Sequence, residues 1–308
     1  MNDSNWPLLT ESLPLAGNLV HVVRLGLNAS PGRIETLRSV LSPDELIRAD
    51  RYKFDEPRRR FIVCRAALRQ LLGSCLCREA GALAFAYGPH GKPRLVPGGA
   101  VGESKAPLTL ALSPADGGEG TSGNASEPSS IEPSLIELLP MESSSFSSTD
   151  FDEASLDFSV SHSADLALIA IAVGRRVGVD VERHDAKVRI LKLATRFFSP
   201  REAAELASLP ECDQLAGFYR GWTCKEAYLK ATGFGLSFPL SKFTVALNPR
   251  EPVSLLEVAD QPDEAARWRM HSLDVATDFS AALLVEVSSQ ELVSVRQWSM
   301  VGSGGLLI

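Results

Sequence analysis

Two short segments, Leu41-Ser42-Pro43-Asp44-Glu45 and Phe198-Ser199-Pro200-Arg201-Glu202, repeat one pattern far apart in the chain. Each offers Ser at an N-cap, Pro at the first helical position and Glu at the third, a compact instruction to start a helix. A strand-like run precedes each, Leu19 to Val23 in one case and Val177 to Val181 in the other. A longer helical pattern follows each, over Arg58–Leu72 and Phe218–Thr232, and then an apolar strand, Leu166–Val173 or Ala281–Val287. The repetition predicts an α+β fold built as a pseudo-dimer of two similar halves of about 120 residues. The seam is placed near Gly174–Gly178 and the site in the groove between the halves.

The first half is assigned to residues 16–176 and the second to 177–300. A stretch rich in Ser, Gly, Pro and Glu interrupts the first half over 98–155 and is expected to be a disordered insertion, too polar to offset its ordering entropy. Nine acidic residues and no Lys or Arg lie between Ser113 and Ser155, so the formal charge of −7 becomes +2 for the rest of the chain. A mildly basic body suits an anionic substrate or an acidic partner and falls short of the clustered basicity of a nucleic-acid binder. No apolar run reaches the roughly 18–20 residues that span a bilayer, and the first residues lack the features of a signal peptide. Five cysteines without a Cys-x-x-Cys pair point away from structural zinc and disulfides, and toward a cytoplasmic protein.

The chemistry-bearing residues fall in two segments of the second half. In Gly178-Val179-Asp180-Val181-Glu182 the carboxylates at i and i+2 share one face of a strand, while Val179 and Val181 point to the other, buried face. In Trp222-Thr223-Cys224-Lys225-Glu226-Ala227-Tyr228-Leu229-Lys230 the spacing i, i+4, i+8 aligns Trp222, Glu226 and Lys230, and Gly233 and Gly235 end the helix. Adjacent carboxylates repel unless a cation lies between them or one is protonated. Hard oxygen ligands beside lysines suit a divalent metal and a phosphate. Taken singly, a solvated strand end and an ordinary Glu–Lys helix pair explain the same residues.

Two more motifs precede these, His90-Gly91-Lys92-Pro93 and Phe158-Ser159-Val160-Ser161-His162-Ser163. In this order, the set resembles the Sfp-type 4′-phosphopantetheinyl transferases. The resemblance covers nearly the whole chain outside the 98–155 stretch and the termini. It implies a Mg²⁺-dependent transfer of phosphopantetheine from coenzyme A to a serine of an apo acyl or peptidyl carrier protein, with adenosine 3′,5′-bisphosphate leaving. Carried over residue by residue, Asp180, Glu182 and Glu226 are the expected metal ligands. Lys230 is expected on the pyrophosphate, with Lys225 and His162 around the phosphates. Arg48 and Lys92 match positions that grip the 3′-phosphate and adenine side, Ser161 matches a coenzyme contact, and Arg60 and Arg65 are further phosphate candidates. Glu226 is the first choice of base for the carrier serine, with Glu202 or a water in reserve. Ser159 replaces the family's usual Asn, and Tyr87 stands where some relatives carry a basic residue. A monomer is expected, because one chain holds both halves. The alternatives are a non-catalytic coenzyme- or carrier-binding module on the same fold, and a different phosphoester enzyme. No glycine-rich phosphate loop supports the latter.

Overall fold

A computed structural model describes residues 6–99, 152–288 and 292–300. The 98–155 stretch falls, apart from its two ends, outside the described residues. The first half runs β1 (Leu19–Gly26), α1 (Pro31–Arg38), α2 (Pro43–Asp50), α3 (Asp55–Leu76), β2 (Phe85–Tyr87), β3 (Pro93–Leu95), β4 (Leu156–Ser163) and β5 (Leu166–Val173). The second runs β6 (Val177–Arg183), α4 (Ile190–Phe197), α5 (Pro200–Ser208), α6 (Glu211–Thr232), β7 (Phe243–Val245), β8 (Leu255–Val258), β9 (Trp268–Ser272) and β10 (Phe279–Glu286), and β11 (Ser294–Met300) follows. The chain is mixed α and β, as its sequence predicts. Both long helices have 22 residues and begin upstream of the predicted starts, with acids in their first turns where the helix dipole favours them.

Two sheets carry the fold, β11-β1-β5-β4 and β6-β10-β9. Their alternating residues feed three cores. Val23, Leu25, Ile169 and Ile171 pack with α3 in the first, and Ala282 and Leu284 with α6 in the second. The third lies between the sheets, where Val20, Val22, Leu168 and Ala170 meet Val177, Val179, Val181 and Leu283. The order is helix, sheet, sheet, helix. Among the described residues no helix is long and apolar enough to cross a membrane.

The sheets join along β4 and β6 without a backbone ladder. Every second side chain of β4 accepts from a backbone N–H of β6. Asp157 takes Val177 at 2.9 Å, Ser159 takes Val179 at 3.0 Å, Ser161 takes Val181 at 3.3 Å and Ser163 takes Arg183 at 3.1 Å. An exposed strand edge would leave those donors to water or to another chain, and buried donors must be paired. Ser159, in place of the family's Asn, thus keeps a structural bond.

The other face of β6 meets α6. A Cβ on Gly178 would lie 2.0 Å from the Ala227 carbonyl oxygen and 2.6 Å from the Ala231 nitrogen, so only glycine lets the helix settle there. At the seam, Gly174 makes the turn at φ 69°. Arg175 donates to the Gly17 and Glu286 carbonyls, and Arg176 pairs with the Glu286 carboxylate at 2.7 Å. Hydrogen bonds from Arg176 hold the Glu286 carboxyl down to about 2.

Gly178→Ala is expected to cost about 3 kcal/mol or more in urea unfolding, whereas Gly26→Ala, with open space around its Cβ, should stay within about 0.5 kcal/mol. Glu286 contributes stability that is fully present above about 4.5 and is lost as the pH falls toward about 2. Glu286→Gln should lower stability at neutral pH and flatten the acid dependence in that window, read from urea midpoints.

Candidate active site

A cavity of about 580 Å³ opens between the two halves. Arg48 from α2, Arg60, Phe61, Cys64, Arg65 and Leu68 from α3, His90–Pro93 from the β2–β3 turn and Phe158–Ser163 from β4 line one side. Glu182 from β6, Glu226, Leu229 and Lys230 from α6, and Gly233 and Gly235 beyond it line the other. Of the predicted residues, Arg48, Lys92, Ser161, His162, Glu182, Glu226 and Lys230 meet in this one space, with Arg60 and Arg65.

Asp180 lies behind the cavity wall, 2% exposed and bonded to the lining residues Ser161 and Lys230. Its Oδ1 accepts from Lys230 Nζ at 2.6 Å and from the Ser161 hydroxyl at 2.7 Å. Ser161 also accepts from Lys230 at 2.9 Å, which with the Val181 bond uses its whole hydrogen-bonding capacity. Glu182 accepts from Ser163 at 2.8 Å. Asp180 Oδ2 and Glu226 Oε1 are buried without a hydrogen-bond partner. Burial, reinforced by the Asp180 charge and partly offset by Lys230, pushes the Glu226 carboxyl up to about 7. Among the described residues no three His, Cys, Asp or Glu side chains converge as a ready metal cage, and Lys230 takes one oxygen of Asp180 and Ser163 one of Glu182. The two unpartnered carboxylate oxygens nevertheless fit a small hard cation that completes its shell with water and substrate oxygens.

Two expectations are corrected. Lys225 does not reach the cavity. Its ammonium is fully buried and has three oxygen acceptors, Glu202 at 2.8 Å and the Leu240 and Phe243 carbonyls at 2.8 and 2.6 Å. Glu202 is no reserve base, for it also accepts from Ser199 N at 2.7 Å and Val245 N at 2.8 Å, sealed from solvent. An ammonium needs three acceptors when buried, and α6 turns this one into the packed side. The first half has the same device. Glu45 accepts from Ser42 N at 3.0 Å, from Arg65, and from Arg69 at 2.6 Å, and Arg69 also donates to the Ala80 and Leu83 carbonyls. Arg69 and Lys225 are each the fifteenth residue of a 22-residue helix.

Other predicted residues are engaged within the protein as well. Lys92 lines the cavity while its ammonium donates to Asp157 at 2.7 Å, and burial lowers its pKa. Arg48 lies over the Phe61 ring at 5.3 Å. Tyr87 accepts from Arg65 at 2.5 Å, so the tyrosine in place of a base fixes a cation instead of supplying one. Reading the motifs missed Tyr52, Phe61, Cys64 and Leu68 in the wall. The stripe Pro57, Phe61, Cys64, Leu68 at helical spacing was the available signal.

Residues 176–284 match the family model of the 4′-phosphopantetheinyl transferase superfamily. The 4′-phosphopantetheinyl transferase HetI of Nostoc sp. is 34% identical over 83% of this chain and 85% of its own length. The chain belongs to the 4′-phosphopantetheinyl transferase superfamily. It is an enzyme of that transferase class. A putative transferase of Synechocystis sp. is 29% identical over 78% of this chain and 75% of its own. The transferase Sfp of Bacillus subtilis is 36% identical over 41% of this chain and 53% of its own. The solved holo-acyl-carrier-protein synthase of Thermotoga maritima overlaps 36% of this chain and 62% of its own at 19% identity, with a TM-score of 0.28.

Because Lys225 and Glu202 are both fully buried, Lys225→Met in this transferase should cost about 3–5 kcal/mol by stranding a carboxylate. Thermal melts would show the loss. The folded fraction should keep its transferase activity, since the side chain lies outside the cavity.

Proposed function

We propose that this transferase moves 4′-phosphopantetheine from coenzyme A to a serine hydroxyl of an apo acyl or peptidyl carrier protein, with Mg²⁺ as cofactor. The observation that carries the reading is that Glu226 and Lys230 line a cavity walled by both halves, with Asp180 directly behind them and bonded to Lys230. Asp180 and Glu226 would hold the cation, with Glu182 beside them. When bound, the cation would neutralise the pyrophosphate oxygens and the charge that develops as the bond to phosphorus breaks.

The chain's own groups cover the remaining needs. Lys230 reaches from α6 into the cavity to hold pyrophosphate oxygens. Arg48, Arg60, Lys92 and His162 line the wall where the phosphates of the nucleotide end would lie. The serine oxygen of the carrier attacks the phosphorus on the pantetheine side, the bridging P–O bond breaks, and adenosine 3′,5′-bisphosphate leaves with the bonding electrons. Glu226 is the first choice to take the serine proton; burial and the Asp180 charge raise its carboxyl, and a cation held beside it would lower it again and weaken the base.

The repeated order of elements and the matched locks Glu45–Arg69 and Glu202–Lys225 support a pseudo-dimer formed by duplication, with a monomer sufficient for the site. Cys64, Cys75, Cys212 and Cys224 are free thiols, which fits a reducing, cytoplasmic setting.

Incubation with coenzyme A, Mg²⁺ and a panel of apo carriers should add about 340 Da to a carrier, the mass of one transferred phosphopantetheine. Asp180→Asn and Glu226→Gln should each lose roughly 100-fold or more in rate while their circular dichroism stays unchanged. Coenzyme binding without any mass gain across the panel would leave only a binding module.

A further inference from the structure

The transferase reading assigns Lys230 to a phosphate, yet its ammonium sits on a seat built from the protein itself. Nζ is 2.6 Å from Asp180 Oδ1 and 2.9 Å from Ser161 Oγ. Ser161 is held in turn by its bonds to Asp180 and to the Val181 N–H, so the seat is rigid. Asp180 and Glu226 are 2% and 4% exposed, and each keeps one oxygen without a partner. Two buried carboxylates need positive charge nearby, and Lys230 supplies it. A divalent cation at those oxygens and an ammonium on Asp180 Oδ1 would repel each other at close range, where water screens little. Lys230 also lines the cavity, with its side chain 19% exposed on a flexible four-carbon stem. It is therefore free to turn toward a ligand.

We propose that Lys230 is an exchangeable counter-ion for the acidic site. Its ammonium is the counter-charge seated on Asp180 Oδ1, and it withdraws in favour of a divalent cation at the unpartnered oxygens when a phosphate group in the cavity draws it away. Binding of the cation and of the phosphate-bearing ligand is then coupled, each raising the affinity for the other by the same factor. This rests on the transferase reading for the position of the cation.

The test is direct binding of Mn²⁺ to the full chain, followed by electron paramagnetic resonance without coenzyme or carrier. Lys230→Met should bind Mn²⁺ about tenfold more tightly than wild type, because a like charge has been removed. Asp180→Asn should bind it much more weakly. In wild type, adenosine 3′,5′-bisphosphate should tighten Mn²⁺ binding, and the gain should shrink in Lys230→Met. Should the methionine variant unfold by circular dichroism, Lys230→Gln, which keeps a donor for Ser161 without the charge, carries the same expectation. Equal or weaker Mn²⁺ binding by the folded Lys230 variant, with Asp180→Asn impaired, would overturn the exchange and leave the metal site standing. Wild-type binding by Asp180→Asn would overturn the metal site and the exchange together.

Discussion

The close approach of α6 to β6 at Gly178 is the contact on which the site depends. The Ala227 carbonyl and the Ala231 nitrogen occupy the space where any other residue would place its Cβ. That approach brings Glu226 and Lys230, on either side of Ala227 along the helix, against the face of β6 that carries Asp180 and Glu182. A methyl group at 178 would push the helix outward and separate Lys230 from Asp180, which now stand 2.6 Å apart. The glycine of the Gly-x-Asp-x-Glu pattern is thus a packing requirement, and the two acids after it are placed by the helix it admits.

Burial on both sides of that contact demands polar devices that hold the frame still. In each half a capping-box glutamate, Glu45 or Glu202, is buried against a cation from the long helix, which also ties down carbonyls of the loop beyond. Such a pair adds little net stability over a well-packed apolar pair, but it permits one rotation of the helix, because a slipped register would strand a charge. The side-chain ladder from β4 to β6 does the same between sheets. Asp157, Ser159, Ser161 and Ser163 bind four donors of β6 and reach Lys92, Asp180 and Glu182 with their remaining capacity. The scaffold and the site therefore share atoms, and Ser161 belongs to both.

The electrostatics follow from this crowding. Glu226 is raised to about 7 chiefly by burial and further by Asp180, while Lys230 holds the opposite charge within reach. Buried acids, one ammonium seated among them and several basic wall residues suit phosphoryl chemistry, where placement and charge do most of the work.

By itself the sequence determined a good deal. The paired Ser-Pro-x-Glu starts specify where two helices begin, because capping is local chemistry. The alternation around Asp180 and the spacing of Glu226 and Lys230 specify which side chains share a face. Only the tertiary structure decided which charged residues of those motifs serve the cavity. Lys225 and Lys230 lie five positions apart on one helix, and Glu202 and Glu226 look equally available as bases. Packing of α6 between β6 and the Leu240–Val245 segment turns Lys225 and Glu202 into a sealed pair and leaves Lys230 and Glu226 at the cavity. Ser161 likewise reads as a coenzyme contact until β6 and α6 are laid beside it and the Val181 N–H, Asp180 and Lys230 claim its hydroxyl. Local propensity sets where a helix begins and which residues align along it. Burial, which depends on what arrives from elsewhere in the chain, settles which of those residues meet a substrate.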